Sequence, residues 1–540
     1  MNAVVAPPDK PPAHRRAVLV LLTMVVALFG CASLPPSAER PVSHAFSKPD
    51  EAPLGRLAHA RAAREEARIA NGFHLLDTAE LGLSSRLALI REARHSLDLQ
   101  YYAIHVDSSS SLLLLRLREA AARGVRVRLL LDDFQAAGSD AEVLQLALEP
   151  GIEVRLFNPL GGPRASFLGR IVGSLHDWER IQRRMHNKLF IADSAWGIVG
   201  GRNLGDAYFG AADASNFIDL DVLATGRIVH DMAASFDRYW NDPLAYPVQS
   251  LVSPRELESL RQPQAAPADS SPLAPEATTT ATFGKPAAPE RQPLDLARVP
   301  LTWAPSLLMV DRPEKITEEP GDPAAGESVV EGLLSLMRQA RKEVLIVSPY
   351  FVPGREMKQT FDELRRRGVA VRVLTNSLAS TDAPAAHAGY ARHRVDLLRR
   401  GVELHEMRAE PSSSLGLEAR DVHTGSSGRT SRSSLHLKAV VIDGRSVVIG
   451  SMNLDLRSQL QNSEVALLIR SSHLAERLVR LFHATLARSA WRVQLRAGGH
   501  PRWIAPSGAP FADSDQEPEA GLGRRWLVRI LGPFAPDELL

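Results

Sequence analysis

Two stretches of the chain alternate strand-like and helix-like spacing of apolar residues in the same order. In the first, Arg94-His95-Ser96-Leu97-Asp98-Leu99-Gln100-Tyr101-Tyr102 alternates with period two, Ser111 to Arg123 has helical spacing, Gly124 stops the helix, and Val125 to Leu131 reads as another strand. In the second, Arg341 to Tyr350 is the strand, Met357 to Arg367 the helix, Gly368 the stop and Val369 to Thr375 the next strand. A further strand opens at Gly151-Ile152-Glu153-Val154 and again at Gly401-Val402-Glu403-Leu404. Strands separated by helices of this length predict βαβ units, so each half is expected to be a mostly parallel sheet flanked by helices. The expected fold class is α/β, with one unit written twice.

The periodicity fails in three places. From Gln262 to Pro300 the chain is crowded with Pro, Ala, Ser and Thr and reads as a linker or surface excursion. Ala409 to Ser434 is rich in Ser and Gly, and is either a lid, a substrate wall or plain disorder. Near the C-terminus, Trp526-Leu527-Val528-Arg529-Ile530-Leu531 follows Arg524 and Arg525, and predicts a packed terminal helix or a short interfacial helix on lipid.

At the other end, Arg15 and Arg16 precede a mainly apolar run from Ala17 to Phe29. As a helix it spans about 20 Å against a hydrocarbon core of about 30 Å, the length of a signal-peptide apolar region rather than a comfortable span. It ends in Leu28-Phe29-Gly30-Cys31-Ala32-Ser33, which resembles a bacterial lipobox, although Phe29 departs from the small or β-branched residue usual there. That resemblance implies lipidation at Cys31 and, with Ala32 next, retention at the outer membrane. A cleaved ordinary signal and an uncleaved anchor are the alternatives. The expected organisation is a signal peptide with lipobox at 1–31, an N-terminal tail at 32–72, a first lobe at 73–262, a linker at 263–300, a second lobe at 301–490 and a C-terminal tail at 491–540.

Composition narrows the chemistry. The 540 residues carry 64 Lys plus Arg against 62 Asp plus Glu, a net charge of +2, so no global basic field points to nucleic acid and any phosphate site must be local. The single cysteine excludes an internal disulfide and any cysteine-cage metal site.

The candidate chemistry is also duplicated. Met185-His186-Asn187-Lys188-Leu189-Phe190-Ile191-Ala192-Asp193 is followed by Gly200-Gly201-Arg202-Asn203; Leu435-His436-Leu437-Lys438-Ala439-Val440-Val441-Ile442-Asp443 is followed by Gly450-Ser451-Met452-Asn453. Both copies place Lys two after His, Asp five after Lys, Gly seven after Asp and Asn three after Gly. In an extended segment, residues two apart share a face, so each copy offers an imidazole and an ammonium to one pocket. Two histidines supply a nucleophile and a leaving-group acid for a phosphodiester without a metal, while lysines and asparagines hold the phosphoryl oxygens. Each imidazole then needs a carboxylate to fix its tautomer.

This pattern resembles the duplicated His-Lys-Asp motif of the phospholipase D superfamily, over about residues 73 to 490. The resemblance implies two lobes about a pseudo-twofold axis with the active site between them, and a phosphohistidine intermediate. It assigns His186 as nucleophile and His436 as general acid, an order that is open to reversal. It puts Lys188, Lys438, Asn203 and Asn453 on the phosphate, with Gly201 and Ser451 at matching phosphate-site positions, and makes Asp193 and Asp443 supporting carboxylates. Glu464, in Asn462-Ser463-Glu464, matches the histidine-orienting acid, with Asp219 as its counterpart. Gln100-Tyr101-Tyr102, the run from Gly200 to Gly210 and the run from Thr375 to Asp382 look most like bacterial cardiolipin synthases of the C type. The implied partners are phospholipids and a membrane surface, with no nucleic acid, metal or other cofactor, for a monomer in the cell envelope at the periplasmic face of the outer membrane. Phospholipid hydrolysis, a nuclease-type phosphodiesterase and a noncatalytic lipid binder are the rival readings. His95, His105, His387, His393 and His405 read as structural or surface residues, Tyr390 as a candidate wall of the site's mouth, and Arg183 as a recruiter of anionic headgroups.

Overall fold

The computed structural model describes residues 34–35, 38–68, 71–134, 140–161, 177–212, 215–252, 292–319, 322–323, 325–409, 432–532 and 536–539. The apolar run at 17–29, Cys31 and nearly all of the 409–434 stretch lie outside them.

The first half contributes β1 (Asn71–Leu76), β2 (Ser96–Tyr101), β3 (Arg126–Asp132), β4 (Ile152–Phe157), β5 (Leu189–Ala192), β6 (Trp196–Gly200), β7 (Ser215–Ile218), β8 (Asp221–Gly226) and β9 (Ala245–Pro247). The second contributes β10 (Thr302–Trp303), β11 (Ser306–Val310), β12 (Glu343–Val347), β13 (Phe351–Val352), β14 (Ala370–Asn376), β15 (Glu403–Met407), β16 (Arg432–Leu435), β17 (Ala439–Ile442), β18 (Ser446–Gly450), β19 (Leu454–Asp455), β20 (Val465–Arg470), β21 (Ala490–Leu495) and β22 (Pro501–Ile504). Eighteen of them form two large sheets, ordered β10-β1-β8-β6-β5-β2-β3-β4-β9 and β11-β20-β18-β17-β12-β14-β15-β21-β22, and the other four make the parallel pairs β13-β19 and β16-β7. Omitting the edge strands β10 and β22, the two orders correspond strand for strand, so the repeat seen in the sequence is a repeat of topology.

The two-lobed α/β architecture is as expected, and each sheet is mixed. Within the two large sheets parallel pairing is confined to β2-β3-β4 and β12-β14-β15, the strands linked by helical crossovers; the other junctions there are antiparallel, with β5-β6 and β17-β18 formed as hairpins. The crossover helices Ser108–Ala122 and Arg355–Arg366 are each followed by a glycine in the left-handed region, Gly124 at φ +89° and Gly368 at φ +78°, which ends the helix and turns the chain back toward the sheet.

Three boundaries differ from expectation. The second lobe runs past residue 490, since β21 and β22 extend its sheet. Leu296 and Val299, at the end of the anticipated linker, pack into the first lobe's core, and β10 pairs with β1. The anticipated N-terminal tail contains the helix Pro53–Arg64, and Trp196 donates its indole N–H to Leu54 O at 3.0 Å. Tail and linker are recruited because each covers an apolar sheet face or edge that water would otherwise meet.

Each lobe has an outer core between sheet and crossover helices. A third core joins the halves: Phe73, Val199, Val222 and Phe236 of the first pack with Leu435, Ile449, Leu467 and Phe482 of the second. This shared core makes the inter-lobe arrangement a packed interior rather than a hinge, and the cleft that holds the motif histidines sits at its edge.

Candidate active site

Each motif histidine is fastened by the opposite half. Met185 bridges Ser463 in parallel, and the His186 N–H donates to Ser463 O at 2.9 Å. This brings Glu464 against the ring, with His186 Nδ1 2.9 Å from Oε2 and 3.1 Å from Oε1. Reciprocally, β16 pairs with β7, the His436 N–H donates to Ile218 O at 2.8 Å, and His436 Nδ1 lies 2.6 Å from Asp219 Oδ2. A Nδ1–H donated to each carboxylate leaves both Nε2 atoms for the pocket. Behind each histidine the end of a neighbouring strand holds the preceding residue. Asp132 accepts from the Met185 N–H at 2.9 Å, and the Asn376 amide makes two bonds to the backbone of Leu435 at 2.8 and 3.0 Å.

His186, Lys188, His436 and Lys438 are all buried. Burial, together with the neighbouring cations, holds the His186 imidazole well below its usual range, in its neutral form. His436 is also lowered by burial and Lys438, with Asp219 opposing. Burial alone would raise Asp219; His436 and Lys438 outweigh it, so its carboxylate stays ionised. Glu464 goes the other way, pushed by burial to about 7 with Lys188, Ser451 and Ser458 opposing. Burial brings Lys188 down to about 7. Lys188 Nζ donates to His186 O at 2.8 Å and Lys438 Nζ to His436 O at 2.5 Å, each ammonium curling back onto its own histidine.

Gly201 and Ser451 do not serve phosphate. Ser451 Oγ donates to Glu464 Oε2 at 2.5 Å, and a Cβ on Gly201 would lie 2.2 Å from Asp219 Oδ1. The two N–H groups are spent on Leu220 O and Val465 O. One half uses a serine to brace the longer Glu464; the other uses a glycine to make room for Asp219 beside the backbone. Gly201→Ala is expected to displace Asp219 and lower kcat by about 100-fold, the scale of a disturbed acid–base pair, with KM little changed. Steady-state kinetics of the folded variant check this, and wild-type kcat would refute the spacing argument.

Asn203 lies beside the His436 wall through Tyr208, and the Asn453 N–H donates to Ser458 Oγ at 3.2 Å next to Glu464. Asn203 Nδ2 donates to Tyr208 Oη at 2.9 Å, and the side-chain carbonyl oxygens of both asparagines are buried without a protein partner. Four groups emerge that motif reading did not assign. Tyr102 stands edge-on to His186, with the Lys188 ammonium 5.5 Å from its ring centre. Tyr208 stands edge-on to His436, Phe217 packs on the same imidazole, and Ser458 Oγ donates to Glu464 Oε1 at 2.9 Å. Tyr102 and Tyr208 fall inside the runs that carried the family resemblance; Phe217 and Ser458 had no signal beyond proximity to Asp219 and Glu464.

Asp193 and Asp443 do not join the site. A strand of four residues separates each from its lysine, about 16 Å along the chain at the usual rise. Asp193 (φ +50°) accepts from the N–H groups of Arg94, His95 and Ser96, and Asp443 (φ +54°) from those of Arg341, Lys342 and Glu343. Each clamps a hairpin turn to the start of the adjacent strand. Asp193→Ala is expected to cost about 1–3 kcal/mol of stability, since three backbone N–H groups, the Ser96 one buried, lose their acceptor, while the protein that remains folded keeps kcat within a few-fold. Denaturant unfolding with parallel kinetics checks it; a large kcat loss at unchanged stability would restore a catalytic role.

Other anticipated residues are placed elsewhere. Tyr390 is buried, with Oη donating to Glu406 Oε1 at 3.0 Å, and does not line the mouth. Arg183 Nη1 donates to Glu318 O. His387 is buried against Arg394. Among the described residues no group of His, Cys, Asp or Glu is arranged to hold a metal ion, and no helix is long and apolar enough to cross a membrane.

Two lobes of matching topology, with a His-Lys pair from each and carboxylates exchanged between them, define a duplicated phospholipase D-like protein. Comparison with known proteins agrees. The family model "Cardiolipin synthase, PLD-like domain" matches twice, at residues 87–240 and 333–486. Cardiolipin synthase C of Escherichia coli (strain K12) is 38% identical over 478 residues, covering 87% of this chain and 96% of the relative. An uncharacterized protein of Helicobacter pylori (strain 26695) is 32% identical over 466 residues, covering 86% of this chain and 88% of that one. In fold, the phosphatidylserine synthase of Haemophilus influenzae Rd KW20 superposes with a TM-score of 0.50 at 13% identity, over 79% of this chain and 90% of that one. The chain belongs to the cardiolipin synthase family of phospholipase D-like proteins, and is an enzyme of the phosphatidyltransferase and phosphodiesterase class.

Proposed function

We propose that the enzyme transfers a phosphatidyl group from one phospholipid to another, as a cardiolipin synthase, through a phosphohistidine on His186. The reciprocal pairing of His186 with Glu464 and His436 with Asp219 carries this reading. Neutral His186 attacks phosphorus through Nε2, forming a P–N bond, while Nδ1–H stays on Glu464. The P–O bond to the leaving headgroup breaks, and His436 gives that alkoxide its Nε2 proton. His436, now neutral, takes the proton of an incoming alcohol; the new P–O bond forms and the P–N bond breaks. Lys188, Lys438, Asn203 and Asn453 hold the phosphoryl oxygens as charge develops. No step requires a metal, and nothing in the charge balance favours nucleic acid.

The test is incubation of purified enzyme with phosphatidylglycerol vesicles, with and without a second phospholipid, and identification of products by mass. Cardiolipin is expected. Phosphatidic acid alone would make the enzyme a hydrolase, activity on DNA alone a nuclease, and absence of turnover a lipid binder.

The same reading extends to location. A basic pair, an apolar run and Leu28-Phe29-Gly30-Cys31-Ala32-Ser33 support a lipid anchor on Cys31 at the periplasmic face of the outer membrane, carried by a monomer. Metabolic palmitate label is expected on the wild type and absent from Cys31→Ala; label that persists would discard the anchor.

A further inference from the structure

The last helix wears its apolar side outward. Residues Leu522–Leu531 form a ten-residue helix packed along the helix Pro384–Arg399. Its inner side is made by Arg524 and Val528. Arg524 Nη1 donates to the carbonyl oxygens of Leu378, Ala379 and Thr381 at 3.0, 2.8 and 3.2 Å, and Val528 packs on Leu378, Ala379 and Ala520. On the other side Leu522, Trp526 and Ile530 recur every four residues and are 74%, 61% and 58% exposed, with Leu527 beside them. A helix covering a water-soluble core turns its apolar stripe inward and its charges outward. This one is anchored by an arginine and shows the stripe to solvent.

The occupant that fits is a lipid surface. The helix contains three arginines and no acidic residue, and Arg529 is exposed next to the stripe. A tryptophan among aliphatic side chains, bordered by arginines, is the composition that settles at the boundary of headgroups and acyl chains and favours anionic lipid. The location fits as well. The carbonyls that Arg524 grips belong to the turn 378–381, whose Ser380 Oγ donates to Asn376 Oδ1 at 3.0 Å, the side chain that holds Leu435 just before His436. The helix is thus tied to a wall of the catalytic pocket.

We propose that the helix Leu522–Leu531 docks on an anionic phospholipid surface, inserting Leu522, Trp526 and Ile530 and opening the pocket onto the lipid that it uses. The docking stands on the helix itself; its consequence for turnover rests on the phosphatidyltransferase reading above.

The chain's single cysteine makes the test direct. In the full-length chain with Cys31→Ala, Ile530→Cys is labelled with an environment-sensitive fluorophore and mixed with phosphatidylglycerol–phosphatidylcholine vesicles. A blue shift and quenching by brominated acyl chains are expected, weaker on phosphatidylcholine alone. An unlabelled Leu522→Ser/Trp526→Ser variant is expected to lose about tenfold or more of turnover on vesicles, while keeping its melting temperature and its turnover on short-chain phosphatidylglycerol dissolved as monomers. Absence of acyl-chain quenching at position 530 overturns the proposal. So does a shift that grows with protein concentration without lipid, which would assign the stripe to a second copy. Should the wild type turn over neither substrate, the transferase reading fails while the quenching result still judges the docking.

Discussion

His186→Asn is expected to abolish turnover, by about 10⁴-fold or more, and to leave no phosphorylated protein after rapid acid quench, because it removes the atom that bonds to phosphorus. His436→Asn should behave differently. With a donor headgroup that leaves without protonation, it should still form the covalent species and then hold it, since no base remains to activate the acceptor alcohol. The asymmetry is physical. His186 faces a carboxyl that burial raises to about 7 and lies among neighbouring cations, so its ring stays neutral. His436 is lowered less, because Asp219, whose carboxylate stays ionised, opposes burial and Lys438, so of the two rings it is the one that more readily carries the proton an acid catalyst gives. Mapping the trapped phosphopeptide to residue 186 would support this order, and label on His436 in the His186→Asn variant would reverse it.

The second large effect is a narrow pH optimum near neutrality that depends on Glu464. As pH falls through about 7, Glu464 gains a proton, stops accepting the His186 Nδ1–H as a carboxylate, and activity drops. As pH rises through about 7, Lys188 loses its proton and with it a cation for the phosphoryl oxygens, so activity drops again. The two groups act on each other, so the limbs report the pair. Glu464→Gln should lower kcat by about 10³-fold, within the range seen when a histidine loses its orienting carboxylate, and should erase the acid limb while leaving the alkaline one. An acid limb that survives in Glu464→Gln would assign that limb to another group. Because Glu464 belongs to the second half and His186 to the first, the same loss would establish that the halves are catalytically interdependent.

Much of this was readable before the fold. The strands at Ser96–Tyr101 and Glu343–Val347, the helices after them and the glycines that end those helices follow from local periodicity, and they appeared where apolar spacing put them. The His-Lys pairs carried their own spacing, and the two carboxylates that the structure places on the imidazoles carried a motif match. Where reading failed, the reason was distance along the chain. Asp193 and Asp443 share the motif's regularity, but an extended strand carries them out of the pocket to a turn. Gly201 stands at a phosphate-site position in the motif match, and is a space that Asp219 occupies. Strand β21 is the counterpart of β9 and β22 has none, and both join a sheet edge that no local pattern specifies.

By itself, then, the sequence determined that one unit occurs twice, which residues each copy brings, and the order of strand and helix, because these depend on neighbours within a few turns of chain. Only the tertiary structure decided that each copy's acid serves the other's histidine, across 278 residues for His186 and Glu464 and 217 for His436 and Asp219. That exchange is set by burial of a core shared between the lobes, which brings the end of each half against the start of the other's motif, and no spacing within either half encodes it.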